Sequence, residues 1–261
     1  MSIEKKKIAV LVISCDSYSD LWLPCVKVFD KYWPDCEFDK FLMSNNKEFS
    51  YPNFNNIRVG DDKSWSHGLK LCLDKLKVDY DYIFTMLEDY YFIEKVDNKY
   101  IKDMFNDFIK INGNFLSLFK LPSKLKKSES IHFGELENNI PYRQSCVFTL
   151  WKTETLYNIL NEKENAWEFE KVGVVRGFEY DGFYGSYRNY NFINVLIQGK
   201  LYPKDYKKLK LIFPEIIINR LMFSWIENFK MRFRDNLVHL FLLYVPSRIK
   251  SYIYFNRKFN K

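Results

Sequence analysis

The sequence predicts an α/β fold in which a mostly parallel central sheet is flanked by helices, and three observations carry that expectation. Ile8 to Ser14 is an unbroken apolar, β-branched run, the mark of a strand covered on both faces. Tyr80 to Leu87 is a second such run. Between them Leu69, Leu73 and Leu76 recur at helical spacing, so strands and helices alternate as they do in a chain that winds a parallel sheet.

Each element can be justified in turn. The first strand ends in Cys15-Asp16-Ser17-Tyr18-Ser19-Asp20, a polar stretch rich in N-cap residues, and a helix is expected over Leu21–Tyr32, stopped by Pro34. Glu37–Met43 and Ile57–Val59 read as the next strands, and Ser64 is placed to cap a helix that ends near Lys77. Beyond Tyr80–Leu87 the pattern predicts a helix over Asp97–Ile111 and a strand over Phe115–Phe119. A polar, mobile loop over 122–140 follows, then a strand over Gln144–Trp151 and a short helix over Glu154–Leu160. Trp167–Tyr190, with glycines at 173, 177, 182 and 185, reads as irregular. No internal repeat or low-complexity linker interrupts the chain. Residues 1–212 are expected to form the main domain and 213–261 a basic, amphipathic helical appendage.

Composition narrows the function classes. The five cysteines form no CxxC pair and are odd in number, which argues against a disulfide framework and a zinc site and for a reducing compartment. The amino terminus carries no signal-peptide apolar region, so a cytoplasmic location is expected. His67, His132 and His239 are scattered, with no zinc-hydrolase spacing. No Walker motif, GxGxxG or GxSxG is present, which removes the main support for P-loop, dinucleotide and serine-hydrolase readings. The 24 Phe, 19 Tyr and 6 Trp fit the codon usage of an AT-rich genome, and they also supply ring faces on which sugars and bases stack.

Charge is unevenly placed. Residues 220–261 hold nine Lys/Arg against two acids, an excess equal to the +7 of the whole chain. The apolar runs there are far shorter than the roughly 20 residues of a bilayer span. An amphipathic segment resting on the inner face of the cell membrane is expected, with a helical flap on the core as the competing reading. No nucleic-acid-binding module is visible.

Ligands of open parallel sheets bind beyond the carboxyl ends of the strands. Two polar clusters fall there: Cys15-Asp16-Ser17-Tyr18 after the first strand and Glu88-Asp89-Tyr90 after Tyr80–Leu87. A carboxylate pair at a strand end is a common way to hold Mg²⁺ or Mn²⁺ against a diphosphate. The alternative is one capping carboxylate and one solvated one.

The order IAVLVISCDSY, DDKSWSHGLKLCLDKL, YDYIFTMLEDYYF resembles GT-A-type glycosyltransferases of bacterial capsule and O-antigen biosynthesis. The resemblance covers roughly residues 7–200. It implies a GT-A-like nucleotide-sugar-binding catalytic domain and a UDP-linked donor. By the same resemblance, Asp16 or Tyr18 meets the base or ribose, and Asp61, Trp65 and Ser66 line the nucleotide pocket. Those enzymes carry Asp-x-Asp where this chain has Leu87-Glu88-Asp89-Tyr90. Were the strand to continue, Glu88 and Asp89 would point opposite ways and only one could reach a metal.

The acceptor half is expected to begin at Tyr142-Arg143-Gln144-Ser145, with Arg143 and Gln144 opening a strand that leads to Trp151 and holding phosphate and sugar hydroxyls. Inverting enzymes of this type place a general base further on. Glu170 is preferred, with Glu168 its rival, because Trp167 and Phe169 can wall a carboxylate and raise its pKa. The expected activity is transfer of a hexose or N-acetylhexosamine, with inversion, to a surface-polysaccharide or polyprenyl-pyrophosphate-linked glycan. The competing reading is a non-catalytic membrane-surface protein of a polysaccharide assembly complex.

Overall fold

The computed structural model of the chain describes residues 6–119, 125–138 and 143–229. Its frame is laid down by β1 (Ile8–Ile13), whose side chains divide between two faces. Val10 and Val12 enter one core, while Ala9, Leu11 and Ile13 enter the other. That two-sided burial is why the run is apolar without alternation.

After β1 a 3₁₀ turn over Asp16–Leu21 leads into α1 (Trp22–Tyr32). Then come β2 (Asp39–Ser44), β3 (Phe54–Arg58), α2 (Trp65–Leu76) and β4 (Tyr82–Leu87). Ser64 caps α2 by accepting from the His67 amide at 3.0 Å, as its position predicts. A short β5 (Tyr90–Phe92) follows, then α3 (Asn98–Lys110), with Asp97 as its N-cap. In α3, Ile101, Met104, Phe105 and Phe108 form one buried stripe at i, i+3, i+4 and i+7. Each such side chain contributes about 1.5–3 kcal/mol on burial.

The second half comprises β6 (Phe115–Ser117), β7 (Leu125–Lys126), β8 (Phe133–Leu136), β9 (Thr149–Lys152), α4 (Thr153–Ile159) and α5 (Ala166–Lys171). It continues through a 3₁₀ stretch over Gly173–Glu179 into β10 (Phe183–Ser186) and β11 (Phe192–Asn194). The hairpin β12 (Leu196–Ile197) and β13 (Lys200–Leu201) precedes α6 (Pro203–Ile212). Two expectations change here. Trp167–Tyr190 is not irregular, because β10 is an inner strand held between β6 and β8. Part of the expected loop over 122–140 is the sheet's far edge, made by β7 and β8.

The nine-stranded sheet runs β3-β2-β1-β4-β9-β6-β10-β8-β7. β1 pairs in parallel with both β2 and β4, and β2 with β3. β9 and β8 are antiparallel to their neighbours, so the sheet is mixed but mostly parallel. One core gathers α1 and α3 on one face, and the other gathers α2, α4 and α5 on the opposite face. The result is a three-layer α/β sandwich.

Of the expected appendage, residues 213–229 are described and 230–261 lie outside the described residues. Residues 213–223 are not helical. They run back along the main domain, with Ile216 and Ile218 buried and Met222 bridged to Leu201. Residues 225–229 turn helical. Among the described residues no helix is long and apolar enough to cross a membrane.

Candidate active site

Strand order places the site. The chain leaves β1 for β2 and β3 on one side and then returns to β4 on the other, so the connections diverge between β1 and β4. Such a switch point opens a crevice at the carboxyl ends of the strands. Ile13 is in register with Leu87, which brings the turn after Ser14 and the turn after Leu87 side by side. The antiparallel β9 adds a third segment to the same rim, because Thr149 pairs with Thr85 and residues 145–148 enter from beyond it. Phe148 makes that entry with φ of 46°, a left-handed conformation that bulky residues rarely adopt.

The strand does not persist through the acidic pair. It stops at Leu87, and Glu88-Asp89 form a tight turn into β5. Both carboxyls are pulled inward, Glu88 to 8% exposure. Burial, and then the charge of Asp89, pushes the Glu88 carboxyl well above the usual carboxylate range. A hydrogen bond from Ser14 works the other way, and that hydroxyl in turn accepts from the Trp22 indole at 2.7 Å. Asp89 is also raised, again chiefly by burial, and its Oδ1 is enclosed with no hydrogen-bond partner among the described residues. An enclosed carboxylate oxygen without a partner is costly, and such a group calls for a missing ligand.

The turn after β1 supplies the facing wall. Cys15 lies 3.0 Å from the Ser17 hydroxyl, and its thiol is raised by burial and by the nearby Glu88 and Asp62 carboxylates. Tyr18 is raised by burial and feels both Glu88 and Asp89. Cys15, Ser17, Tyr18, Glu88 and Asp89 are therefore brought together.

Asp16 is not among them, because its carboxylate is spent on the neighbouring turn. It accepts from the backbone amides of Asn45, Asn46 and Lys47 at 2.9–3.0 Å. Asp61 is likewise tied to the Asn46 side chain at 2.8 Å. Its neighbour Asp62 faces Cys15 instead, held by the Asn45 side-chain Nδ2, which donates to Oδ2 at 2.9 Å. Asp62 can lie against α2 only because residue 68 is glycine: a Cβ there would sit 2.6 Å from its Oδ2. Trp65 packs on Phe169 with ring centroids 5.7 Å apart, tying α2 to α5. Ser66 is fully buried, its hydroxyl unpartnered among the described residues.

The two glutamates of α5 part company. Helical geometry turns them to different sides. Glu168 closes a capping box with Asn165 and is exposed. Glu170 lies under the rim, where the Ser145 hydroxyl donates to its Oε1 at 2.7 Å and the Cys146 amide adds a second bond. Burial raises its pKa above the ordinary value. Phe169 is buried beside it, whereas Trp167 points to solvent. The Tyr90 phenol is raised chiefly by burial and further by the nearby Asp89 and Glu170 carboxylates. Around it Phe148, Phe192 and Phe119 make a chain of ring contacts 5.6–6.5 Å apart.

Arg143, Gln144 and Trp151 are turned inward. Arg143 donates to the carbonyls of Gly177 and Tyr180 and lies over the Phe183 ring. Gln144 donates to the Phe169 carbonyl, and the Trp151 indole to that of Ser145. All three are at most 1% exposed, so none offers a polar group to an acceptor as placed. Tyr142 lies outside the described residues.

The geometry also recruits Arg220, which sequence reasoning passed over. Its Nε and Nη2 clasp the Asp20 carboxylate at 2.8 and 2.5 Å, and Nη2 reaches the Ser17 carbonyl at 2.7 Å. Its guanidinium sits 4.5 Å from the centre of the Tyr18 ring. A contact 200 residues apart in sequence leaves no local pattern to read.

A Mg²⁺ or Mn²⁺ of the phosphate-bridged kind needs one or two protein carboxylates, with phosphate oxygens and water completing its shell. The orphaned Asp89 oxygen fits that role. Among the described residues no cluster of three His, Cys, Asp or Glu side chains forms an all-protein site.

No protein-family model matches the sequence, and no curated protein matches it. Among solved structures, TarS from S. aureus is similar at 12% identity, over 92% of this chain and 75% of that one, with a TM-score of 0.48. A UDP-glucose pyrophosphorylase complexed with UDP-glucose is similar at 10% identity, over 73% and 93% respectively, with a TM-score of 0.45. A mannose-1-phosphate geranyltransferase from Thermus thermophilus is similar at 8%, over 74% and 76%, with a TM-score of 0.43.

Proposed function

We propose that the chain is a glycosyltransferase that moves a sugar from a nucleotide donor, UDP-linked, to a hydroxyl of a growing surface glycan, with inversion at the anomeric carbon. The observation that carries this reading is the nearness of two acidic centres at the switch point: the Glu88-Asp89 turn and the half-buried, raised Glu170, both close enough to Tyr90 for its phenol to feel their charge. One centre suits a diphosphate and its counter-ion, the other a proton.

In the proposed reaction the acceptor oxygen attacks the anomeric carbon from the face opposite the leaving group. Glu170 takes the hydroxyl proton as the new C–O bond forms. The bond from the anomeric carbon to the β-phosphate oxygen breaks, and its electron pair leaves with the nucleoside diphosphate. Ser145 and the Cys146 amide orient the Glu170 carboxylate, while burial raises its proton affinity above that of an ordinary carboxylate, the direction a general base requires. Asp89 would hold a divalent cation, which supplies charge neutralisation on the departing diphosphate. The rings of Tyr90, Phe119 and Phe192 support the acceptor sugar by stacking. Glu168 makes no part of this proposal, since its carboxylate serves the helix cap.

The exposed Ile217, Leu221, Trp225 and Phe229 precede a strongly basic stretch, which supports an acceptor presented at an anionic membrane surface, such as a polyprenyl-pyrophosphate-linked glycan. The reading is tested by incubating purified protein with a panel of nucleotide sugars, with and without Mn²⁺, and measuring nucleoside diphosphate release. Release from one donor, enhanced by acceptor, is expected. No release from any donor with lipid-linked or free acceptor present would transfer the weight to a non-catalytic binding role.

A further inference from the structure

We propose that Arg220 is a phosphate-binding residue of the donor site, delivered from the carboxyl-terminal segment to neutralise the nucleoside diphosphate beside Asp89. The inference rests on the donor-site reading above but concerns a residue outside the α/β core, and four observations carry it. Arg220 stands where the site needs positive charge: its guanidinium is felt at Glu88, at Asp89 and at Tyr18. It is pre-organised, because Asp20, the Ser17 carbonyl and the Tyr18 ring fix its position. Those bonds use Nε and Nη2, and Nη1 carries none among the described residues. Its side chain is only 17% exposed, so a phosphate meeting it would meet a charge already largely stripped of water.

The segment that bears it is seated for the purpose. Leu201 donates to the Leu221 carbonyl and accepts from the Phe223 amide, at 2.8 and 3.0 Å. The turn of the adjoining hairpin, at Gln198-Gly199, takes positive φ at both residues and passes close to the Tyr18 hydroxyl. The hairpin and the arginine thus approach the Tyr18 side of the site together. An arginine held by one carboxylate and offering a further N–H to an incoming phosphate is a common way to bind a diphosphate oxygen.

The experiment compares binding of a nucleoside diphosphate with binding of its own nucleoside, by calorimetry in EDTA, across UDP, GDP, CDP, ADP and dTDP. For the diphosphate that binds best, Arg220→Met is expected to weaken affinity about 10- to 100-fold, the range of a lost charged hydrogen bond. The matching nucleoside should bind the variant as it binds the wild type. Arg220→Lys, which keeps the charge, should recover part of the loss. Equal weakening of diphosphate and nucleoside would make Arg220 a structural clasp and overturn the inference, as would unchanged diphosphate affinity. Absence of nucleotide binding by the wild-type protein, in EDTA and with Mg²⁺, would overturn the donor-site reading itself and the inference with it.

Discussion

Two acidic turns lie side by side on one rim of this protein, and they have opposite fates. Asp16, after β1, satisfies its carboxylate with three backbone amides of the next loop. Glu88 and Asp89, after β4, are pressed inward with both carboxyls raised and one enclosed oxygen of Asp89 unpartnered among the described residues. The contrast repeats in α5, where Glu168 is bonded into a helix cap and Glu170 is half-buried under the rim with its carboxyl raised. A carboxylate whose hydrogen bonds are complete holds the fold together. One that is buried with its needs unmet weakens the empty protein, and the ligand that completes it recovers that cost.

Substitutions can break or sharpen this contrast. The largest effect is expected at Glu170: Glu170→Gln keeps shape and the Ser145 contact but removes the proton acceptor. Turnover of the donor identified by the screen should fall about 10²- to 10⁴-fold, with melting temperature nearly unchanged. Next comes Asp16→Ala, which strands three amides at once. It should cost about 2–4 kcal/mol of stability in urea titration, while donor affinity of the folded fraction stays close to wild type.

Glu88→Gln should act in the opposite direction. A carboxyl raised in the folded state stabilises the fold when protonated, and that contribution is lost as pH climbs from the unfolded pKa through the folded one. The ligand-free wild type is therefore expected to lose stability on going from pH 5 towards pH 8. The variant should be flatter over that window and about 1–2 kcal/mol more stable at its upper end, while losing donor turnover. A steeper variant profile would show that the Glu88 carboxylate is favoured by the fold. The smallest effect belongs to Glu168→Ala, about 0.5–1 kcal/mol from the lost cap with turnover retained. Loss of activity there would exchange the roles of the two glutamates.

The elements that frame the site were legible because they are buried on both faces or striped at helical period. β1 and β4 declare themselves as apolar runs, Ser64 as the cap of α2, and α3 as a helix within one residue of its observed start. β10 did not, because its four residues are defined by their neighbours β6 and β8 rather than by a pattern of their own. At the site, position was legible and direction was not. A loop after a strand can be placed from sequence, but whether Asp16 turns to the crevice or to the Asn45 loop depends on which amides await it. Arg143, Gln144 and Trp151 illustrate the same limit: polar groups at a strand entrance looked like ligand contacts, and the fold uses them to close its own carbonyls. Asp62 became visible only through Gly68, a helical glycine whose missing Cβ makes room for it.

The return of residues 213–223 along the α/β unit also sets where the protein can be shortened. Cutting after Ile212 would uncover the seats of Ile216 and Ile218 and leave Asp20 without its guanidinium partner. A trimmed chain that keeps Met222 retains both the apolar seal and the clasp, so the workable edge of the folded unit falls at least ten residues beyond α6.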